Sequence, residues 1–297
     1  MRLPREPWQS IPRLLELLRE TAHNKPTVDS VDLLGQFIRT SPEFRGKWRL
    51  INYWLANATK NKRIRKLPGG AKVLCDISIP YEAMVWLERE EQSDLEILER
   101  LLRRDQTFVD CGANIGIWSL VAVSTVGPLG NVYAFEPNPK TFQKLSYNVS
   151  MISIKPTLFN LAVGAEEGTR GFECNEFHNL SKVASWSGDN LIQVPMTKLD
   201  SILAGELVHG IKIDVEGLEL EVLRGGERIL RQHRPWLCVE FNTELAGVDV
   251  LGAWSVHRYL SDLGYSCRRF QEALNHTSEP VLTDRWQANG YCNLFYS

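Results

Sequence analysis

The sequence lacks a long apolar run, an apolar stretch near its first residues and an excess of either charge. No apolar stretch approaches the roughly 20 residues that a membrane-spanning helix needs, and the N-terminus has no apolar signal core. Its 34 Lys and Arg residues face 36 Asp and Glu residues, a formal net charge of −2. We therefore expect no transmembrane segment, and the missing basic excess argues against nucleic acid as a partner.

The sequence also lacks closely spaced cysteine pairs. Its six cysteines are scattered, and no two lie at CxxC spacing. Isolated thiols favour a reducing compartment over a disulfide framework or a structural zinc site. We accordingly predict a cytoplasmic protein.

The region before Leu67 is predicted to be helical. Ile11, Leu14 and Leu18 form one apolar stripe, which favours a helix packed on the main domain over one that contacts a membrane surface peripherally. The basic run from Lys60 to Lys66 is interpreted as a solvated helix end. We predict an N-terminal helical segment at residues 1–66 and a catalytic domain at residues 67–297; no pattern indicates an oligomeric state.

The chain changes character at Thr107, where short β-rich runs begin to alternate with helical segments. The β-rich runs are residues 107–110, 131–135, 157–163, 210–214 and 236–240, and they predict a parallel sheet built of βαβ units. Residues 87–103 before them are predicted to form one helix. Residues 168–195 break the alternation with a long loop, and His178 and Trp186 in it are candidate acceptor-binding residues.

The strongest local signal is Asp110-Cys111-Gly112-Ala113-Asn114-Ile115-Gly116, between a predicted strand and a predicted helix. Gly112 allows a tight turn near a ligand, and Gly116 allows the helix to start close to the sheet. Asp110 and Asn114 are expected to place polar groups at the mouth. Glu136 ends the next strand, where a carboxylate can accept hydrogen bonds from both ribose hydroxyls.

The spacing of the glycines bears on the identity of the cofactor. A dinucleotide site usually carries G-x-G-x-x-G to hold a pyrophosphate, whereas Asn114 stands here in place of the middle glycine. S-adenosylmethionine has no pyrophosphate, so the pattern favours this methyl donor. An oxidoreductase that binds NAD and a non-catalytic module that binds S-adenosylmethionine are the alternatives.

Several segments together resemble the FkbM family of methyltransferases over roughly residues 80 to 297. They are residues 110–116, Ala134-Phe135-Glu136-Pro137-Asn138-Pro139, Leu199-Asp200, Ile211-Lys212-Ile213-Asp214-Val215-Glu216-Gly217 and Val239-Glu240. The resemblance implies a Rossmann-like class I α/β fold whose seven-stranded, mostly parallel sheet ends in an antiparallel strand. It also implies O-methylation of a hydroxyl on a sugar, glycan or secondary metabolite.

The same resemblance assigns residues to the donor pocket. It implies that Asp110, Gly112, Asn114, Gly116, Glu136 and Asn138 line this pocket and that Ala162 lies beside the adenine ring.

The carboxylates after the fourth and fifth strands of the predicted sheet are the catalytic candidates. Lys212, Asp214 and Glu216 alternate, so we expect them on one face of a strand. Asp214 or Glu216 is the candidate general base, with Glu240 a further candidate and Lys212 as the residue that orients the acceptor. The plain alternative is that Lys212 only neutralises a carboxylate.

A metal ion gives a competing mechanism. Asp214, Glu240 and Asn242 supply hard oxygen ligands that suit a divalent ion such as Mg²⁺. Such an ion would lower the pKa of the acceptor hydroxyl directly.

Overall fold

The computed structural model describes residues 28–42, 44–57, 62–173, 182–183, 191–274 and 281–297. The chain forms two compact units. The first comprises the described residues up to Arg65 together with Leu74–Gln92, and the second comprises Lys66–Val73 and Ser93–Ser297. The predicted helix around Ile11 to Leu18 lies outside the described residues, and the domain boundary at residue 66 stays a prediction.

The first unit is mainly helical. It contains α1 (Val28–Thr40), α2 (Lys47–Asn57) and α3 (Pro80–Trp86). Trp54 of α2 stacks on Trp86 of α3, with ring centroids 5.7 Å apart and planes inclined by 14°. This stacking brings α2 and α3 into contact.

The basic run after α2 is a strand, so the prediction of a helix end there was wrong. Residues 62–66 form β1 (Lys62–Lys66), which pairs with β2 (Lys72–Asp76). The run is also not fully solvated, because the side chain of Arg65 is buried. The guanidinium donates to the carbonyl of Val85 and to the amide oxygen of Gln92.

The single helix predicted over residues 87–103 is also corrected. The helix α4 covers only Gln92–Leu101. Glu88 and Glu91 both have φ of +58°, in the left-handed region that α-helices exclude. These two residues therefore separate α3 from α4.

The second unit is built around a seven-stranded sheet. Its strands are β3 (Thr107–Cys111), β4 (Asn131–Phe135), β5 (Thr157–Phe159), β10 (Gly210–Ile213), β11 (Trp236–Asn242), β12 (Cys267–Arg269) and β13 (Tyr291–Tyr296). Their order is β12-β13-β11-β10-β3-β4-β5. The strands from β11 to β5 pair in parallel, and β13 is antiparallel to both neighbours. The order and the antiparallel strand confirm the predicted class I methyltransferase fold.

Helices cover the sheet. They are α5 (Ile117–Val126), α6 (Pro139–Ser150), α7 (Leu199–Ile202), α8 (Glu219–Gly225), α9 (Glu227–His233), α10 (Thr243–Ala246) and α11 (Ser255–Asp262). One sheet face packs Val109, Ile211 and Leu237 into the core with Val222 and Ile229 of α8 and α9. No helix among the described residues is long and apolar enough to cross a bilayer.

A smaller sheet occupies the region predicted to be a long loop. Its strands are β6 (Ala162–Val163), β7 (Gly168–Glu173), β8 (Lys182–Val183) and β9 (Leu191–Thr197), in the order β6-β9-β7-β8. Phe172 packs with Val194 and Met196 in a separate small core. The expectation of one continuous loop was therefore wrong. His178 and Trp186, the candidate acceptor residues, lie outside the described residues.

Candidate active site

The candidate site lies at the carboxyl ends of β3, β4 and β10. The amides of Gly112 and Ala113 donate to the carbonyl of Phe135 at 3.0 and 2.9 Å, and the amide of Asp214 donates to Cys111 at 3.1 Å. Three loops are thus joined by backbone hydrogen bonds at the edge of a parallel sheet where α/β proteins bind ligands.

Two glycines shape the first loop. Gly112 has φ of +82°, and a Cβ there would lie 1.8 Å from the carbonyl oxygen of Asp214. Gly116 has φ of +95° and caps α5, where a Cβ would lie 2.6 Å from Cδ1 of Leu145. The sequence predicted that the backbone at Gly112 approaches a ligand closely. In the structure it closely approaches the backbone of Asp214.

Glu136 joins the two segments predicted to bind the donor. Its Oε2 accepts from the amide of Asn114 at 3.0 Å, and its Oε1 accepts from the amide of Asn138 at 2.8 Å. Burial raises the pKa of Glu136 to about 7, against the opposing effect of the two amide hydrogen bonds. Asn138 also caps α6, since its side chain accepts from the amide of Lys140 at 3.0 Å.

Asn160 is a residue of this region that the sequence analysis missed. Its Nδ2 donates to the carbonyls of Glu136 and Pro137 at 2.9 and 3.1 Å. It therefore fixes the Glu136 turn against the end of β5. Ala162, predicted to lie beside adenine, follows two residues later as the first residue of β6.

Asp110 does not lie at the mouth, where it was predicted. Its side chain is fully buried on the sheet face that meets α5, and Oδ2 accepts from the hydroxyl of Ser119 at 2.6 Å. Burial raises the pKa of Asp110, and the ammonium of Lys212 opposes that rise. Asp110 therefore supports the loop from beneath, and Ser119 is a second residue that the sequence did not indicate.

Lys212 is the centre of the charged cluster. Its Nζ donates to the carbonyl of Gly112 at 3.0 Å and pairs with Oδ2 of Asp214 at 3.0 Å. The same Nζ lies 3.9 Å from Oδ1 of Asp110 and 5.9 Å from the ring centroid of Trp118. One buried ammonium thus connects the glycine loop of residues 110–116, the loop predicted to bind the donor, to the catalytic candidates.

The alternation of Lys212, Asp214 and Glu216 predicted that all three lie in one strand. This prediction was wrong for Asp214 and Glu216. The strand β10 ends at Ile213, and Glu216 has φ of +55° in the turn that follows. The side chain of Asp214 is 30% exposed, whereas that of Lys212 is 5% exposed. Asp214 is therefore held by Lys212 at the opening of the cluster.

Glu240 lies among other carboxyl groups, and its pKa is raised. Burial raises the pKa of Glu240 far above its ordinary value, and the nearby charges of Asp214, Glu216 and Glu219 raise it further. Glu240 is consequently a neutral acid near neutral pH and can donate a hydrogen bond.

A third missed residue, Asp94 of α4, is linked to the strand that pairs with β11. Asn293, the partner of Glu240 across β11 and β13, donates to Asp94 at 2.7 Å, and Gln271 donates to its other oxygen at 2.9 Å. No sequence motif links these three segments, so the pairing depends on the fold.

The structure gives the metal hypothesis little support from geometry. The side-chain oxygen of Asn242 accepts from the amides of Glu244 and Leu245 at 3.1 and 3.4 Å, as the cap of α10. Within the described part of the chain, no group of three or more His, Cys, Asp or Glu residues is arranged to hold a metal ion. Asn242 therefore acts as a helix cap.

Comparison with known proteins identifies the family. Residues 110–267, more than half of the chain, match the model of the methyltransferase FkbM domain. The chain belongs to the FkbM family of methyltransferases. This confirms the predicted family and the S-adenosylmethionine-dependent class of enzyme, and it decides against the dinucleotide-binding oxidoreductase.

Two curated relatives of this FkbM methyltransferase come from an archaeon and a fungus. It is 30% identical to hexuronic acid methyltransferase AglP of Haloferax volcanii over 180 residues, 56% of this chain and 68% of AglP. It is 28% identical to Methyltransferase 1 of Beauveria bassiana over 149 residues, 41% of this chain and 58% of the relative.

A solved structure of the family is also similar. The crystal structure of an FkbM methyltransferase from Methylobacillus flagellatus KT has 14% identity and a TM-score of 0.43. The match covers 97% of this chain and 59% of the other chain.

The residues of the donor loop suit S-adenosylmethionine. The buried side-chain oxygen of Asn114 has no hydrogen-bond partner among the described residues, so it is available to a ligand. Each oxygen of Glu136 accepts one hydrogen bond from a backbone amide and retains a lone pair for a ribose hydroxyl. An acidic surrounding also favours a cationic sulfonium over a phosphate.

Proposed function

We propose that this FkbM methyltransferase transfers a methyl group from S-adenosylmethionine to a hydroxyl of an acidic sugar or glycan. The observation that carries the proposal is the partly exposed carboxylate of Asp214, held at 3.0 Å by the buried Lys212. The name of the relative from Haloferax volcanii supports hexuronic acid as the acceptor class.

The donor is assigned to the loops around Glu136. We propose that Glu136 binds the ribose hydroxyls and that Asn114 binds the amino-acid end through its unpartnered oxygen. Gly112, Gly116 and Asn138 shape the pocket, Ala162 borders the adenine, and Asp110 supports the loop from beneath. When bound, S-adenosylmethionine supplies an electrophilic methyl group on a sulfonium.

Two side chains act on the acceptor in this proposal, and Lys212 acts through one of them. Asp214 accepts the hydroxyl proton as the oxygen attacks, and Lys212 fixes the carboxylate that does so. Glu240 is protonated and donates a hydrogen bond to the acceptor. Glu216 is the alternative base, because it lies in the turn immediately after Asp214.

The experiment is a transfer assay with a panel of uronic acids and their neutral counterparts. We expect a product that is heavier by one methyl group and that survives mild alkali, because a methyl ether is stable where a methyl ester is hydrolysed. A product labile to alkali would overturn the hydroxyl assignment. Absence of transfer to every sugar would overturn the acceptor class.

The metal hypothesis stays a prediction with its own test. Activity that survives exhaustive chelation would contradict a divalent ion on Asp214 and Glu240. A cytoplasmic location and a peripheral membrane contact likewise stay predictions from the sequence.

A further inference from the structure

A polar cluster lies beside Glu240 at the end of the seven-stranded sheet. Asn293 of β13 pairs with Glu240 of β11, so the two side chains lie on the same face of the sheet. Lys212 lies on that face as well, because it pairs with Cys238, two residues before Glu240 on β11. The cluster therefore borders the candidate active site, and it lies within the second unit.

Asp94 is the buried centre of this cluster. It lies in the first turn of α4, and only 6% of the residue is exposed. Its Oδ2 accepts from Nδ2 of Asn293 at 2.7 Å, and its Oδ1 accepts from Nε2 of Gln271 at 2.9 Å. Gln271 belongs to the short turn Phe270–Glu272 after β12. One carboxyl group thus holds two carboxamides that come from separate segments of the chain.

This arrangement determines which atoms the two carboxamides offer to a ligand. Both oxygens of Asp94 act as acceptors, so only the NH₂ end of a carboxamide can face them. The carbonyl oxygens of Asn293 and Gln271 are the remaining ends, and no described residue donates a hydrogen bond to either. Neither oxygen is enclosed in the protein, since Asn293 is partly exposed and Gln271 is exposed. Both oxygens can therefore accept a hydrogen bond from a bound molecule.

The chemistry of these atoms indicates a ligand with several hydroxyl groups. The carboxylate of Asp214 and the carbonyl oxygens of Asn293 and Gln271 are all hydrogen-bond acceptors on this side of the second unit. An isolated alcohol has one O–H group, which the base already takes. A sugar ring carries further O–H groups on neighbouring carbons, and these can donate to the two carboxamides.

We propose that Asn293 and Gln271 form a specificity subsite, which accepts hydrogen bonds from acceptor hydroxyls next to the one that is methylated. Asp94 is a positioning residue, because it acts on the acceptor only through the two carboxamides. A site that hydrogen-bonds a substrate hydroxyl discriminates against the analogue that lacks it. The inference rests on the proposed function, and it narrows the acceptor to sugars with a free hydroxyl beside the methylated one.

The experiment measures steady-state methyl transfer by the full chain to methyl β-glucuronide and to its monodeoxy derivatives at each ring hydroxyl. Gln271→Leu should raise KM for the glucuronide about fivefold, the effect of one lost hydrogen bond between neutral groups, and change kcat less than twofold. The derivative that lacks the bound hydroxyl should show the same rise with the unaltered protein and no further rise with Gln271→Leu. Gln232→Leu is the matched control, since Gln232 is exposed on α9, which packs on the other face of the sheet.

Asp94→Asn tests the positioning role with little change of shape. Its NH₂ group must face one of the two carboxamides, which then turns its own NH₂ outward. We expect KM to rise severalfold, with kcat and the affinity for S-adenosylhomocysteine changed less than twofold. A purely structural role would instead lower kcat and donor affinity together and leave the discrimination against the deoxy derivatives intact.

Two kinds of failure can be told apart. Equal KM values for the glucuronide and every derivative that is methylated, or additive effects of Gln271→Leu and the missing hydroxyl, would overturn this inference alone. Absence of transfer to any uronic acid would overturn the proposed function and remove the inference with it.

Discussion

At the scale of single residues, neighbouring carboxyl groups acquire different roles from their surroundings. Asp214 is partly exposed and paired with Lys212, whereas Glu240 is surrounded by other carboxylates and holds its proton. A general base must be ionised, and a hydrogen-bond donor must be protonated. The two residues are therefore not interchangeable.

Asp214 and Glu240 should respond differently to amide substitution. Asp214→Asn removes the base, so we expect kcat to fall by about 100-fold or more. Glu240→Gln replaces a neutral acid by a neutral amide of similar shape, so kcat should change only severalfold. Steady-state kinetics with saturating donor measure both. Equal losses would mean that Glu240 acts as a carboxylate.

Glu136 gives the prediction for donor binding. Glu136→Ala should weaken binding of S-adenosylhomocysteine by about 1.5–3 kcal/mol, the usual loss for a hydrogen bond to a charged group. Calorimetry is the measurement, and Glu227→Gln on the surface of α9 is the control. Unchanged affinity in Glu136→Ala would contradict the ribose role.

Gly112 and Gly116 offer a matched pair in one turn. Both have positive φ, so alanine is strained at either position. The added Cβ meets a backbone oxygen at Gly112 but only the end of the flexible Leu145 side chain at Gly116. We expect Gly112→Ala to lower the unfolding free energy more than Gly116→Ala by about 1–3 kcal/mol, measured in urea. The reverse order would contradict this packing.

At the scale of elements, Asp200 connects two helices. Its Oδ2 and Oδ1 accept from the amides of Arg228 and Ile229 at 2.9 and 3.1 Å, so a residue of α7 caps the start of α9. In the sequence Asp200 stands out only as part of a motif, because the helix start that it caps lies 28 residues away along the chain.

Asp200→Ala should therefore destabilise the protein by about 1–2 kcal/mol, the usual cost of a lost helix cap. Glu221→Ala is the control, since it removes only an exposed ion pair with Arg224 and should cost a few tenths of a kcal/mol. Urea unfolding of both variants makes the comparison. Similar midpoints would show that the cap contributes nothing.

The sequence predicted helices and strands well where the order and spacing of residues along the chain decide the structure. The glycine loop, Glu136 and the parallel strands follow from local patterns of apolar residues, glycines and acids. The end of β10 at Ile213 and the burial of Asp110 depend on strand pairing and on α5, which local spacing does not contain. The strand at Lys62–Lys66 was missed because the buried partners of Arg65 are distant in sequence.

At the scale of the whole molecule, five buried acids among the described residues share one direction of pKa shift. Burial raises the pKa of five carboxyl groups, namely Asp94, Asp110, Glu136, Glu219 and Glu240. Two carboxyl groups with lowered pKa, Glu167 and Glu227, lie at the surface, where solvent screens their interactions, and contribute little. We therefore expect the five carboxyl groups with raised pKa to dominate the contribution of carboxyl groups to the dependence of stability on pH.

The protein without donor should lose stability as pH rises from 5 to 8. A carboxyl with a raised pKa keeps its proton in the folded state where the unfolded chain has released it, so unfolding releases protons and becomes easier at higher pH. For Glu136 this window runs from about 4.5 to about 7, and the full loss of stability across it corresponds to about 3 kcal/mol. Thermal unfolding at several pH values measures the slope, which Glu136→Gln should reduce within that window. A midpoint that rises with pH would mean that amide hydrogen bonds and Lys212 outweigh burial at these carboxyl groups.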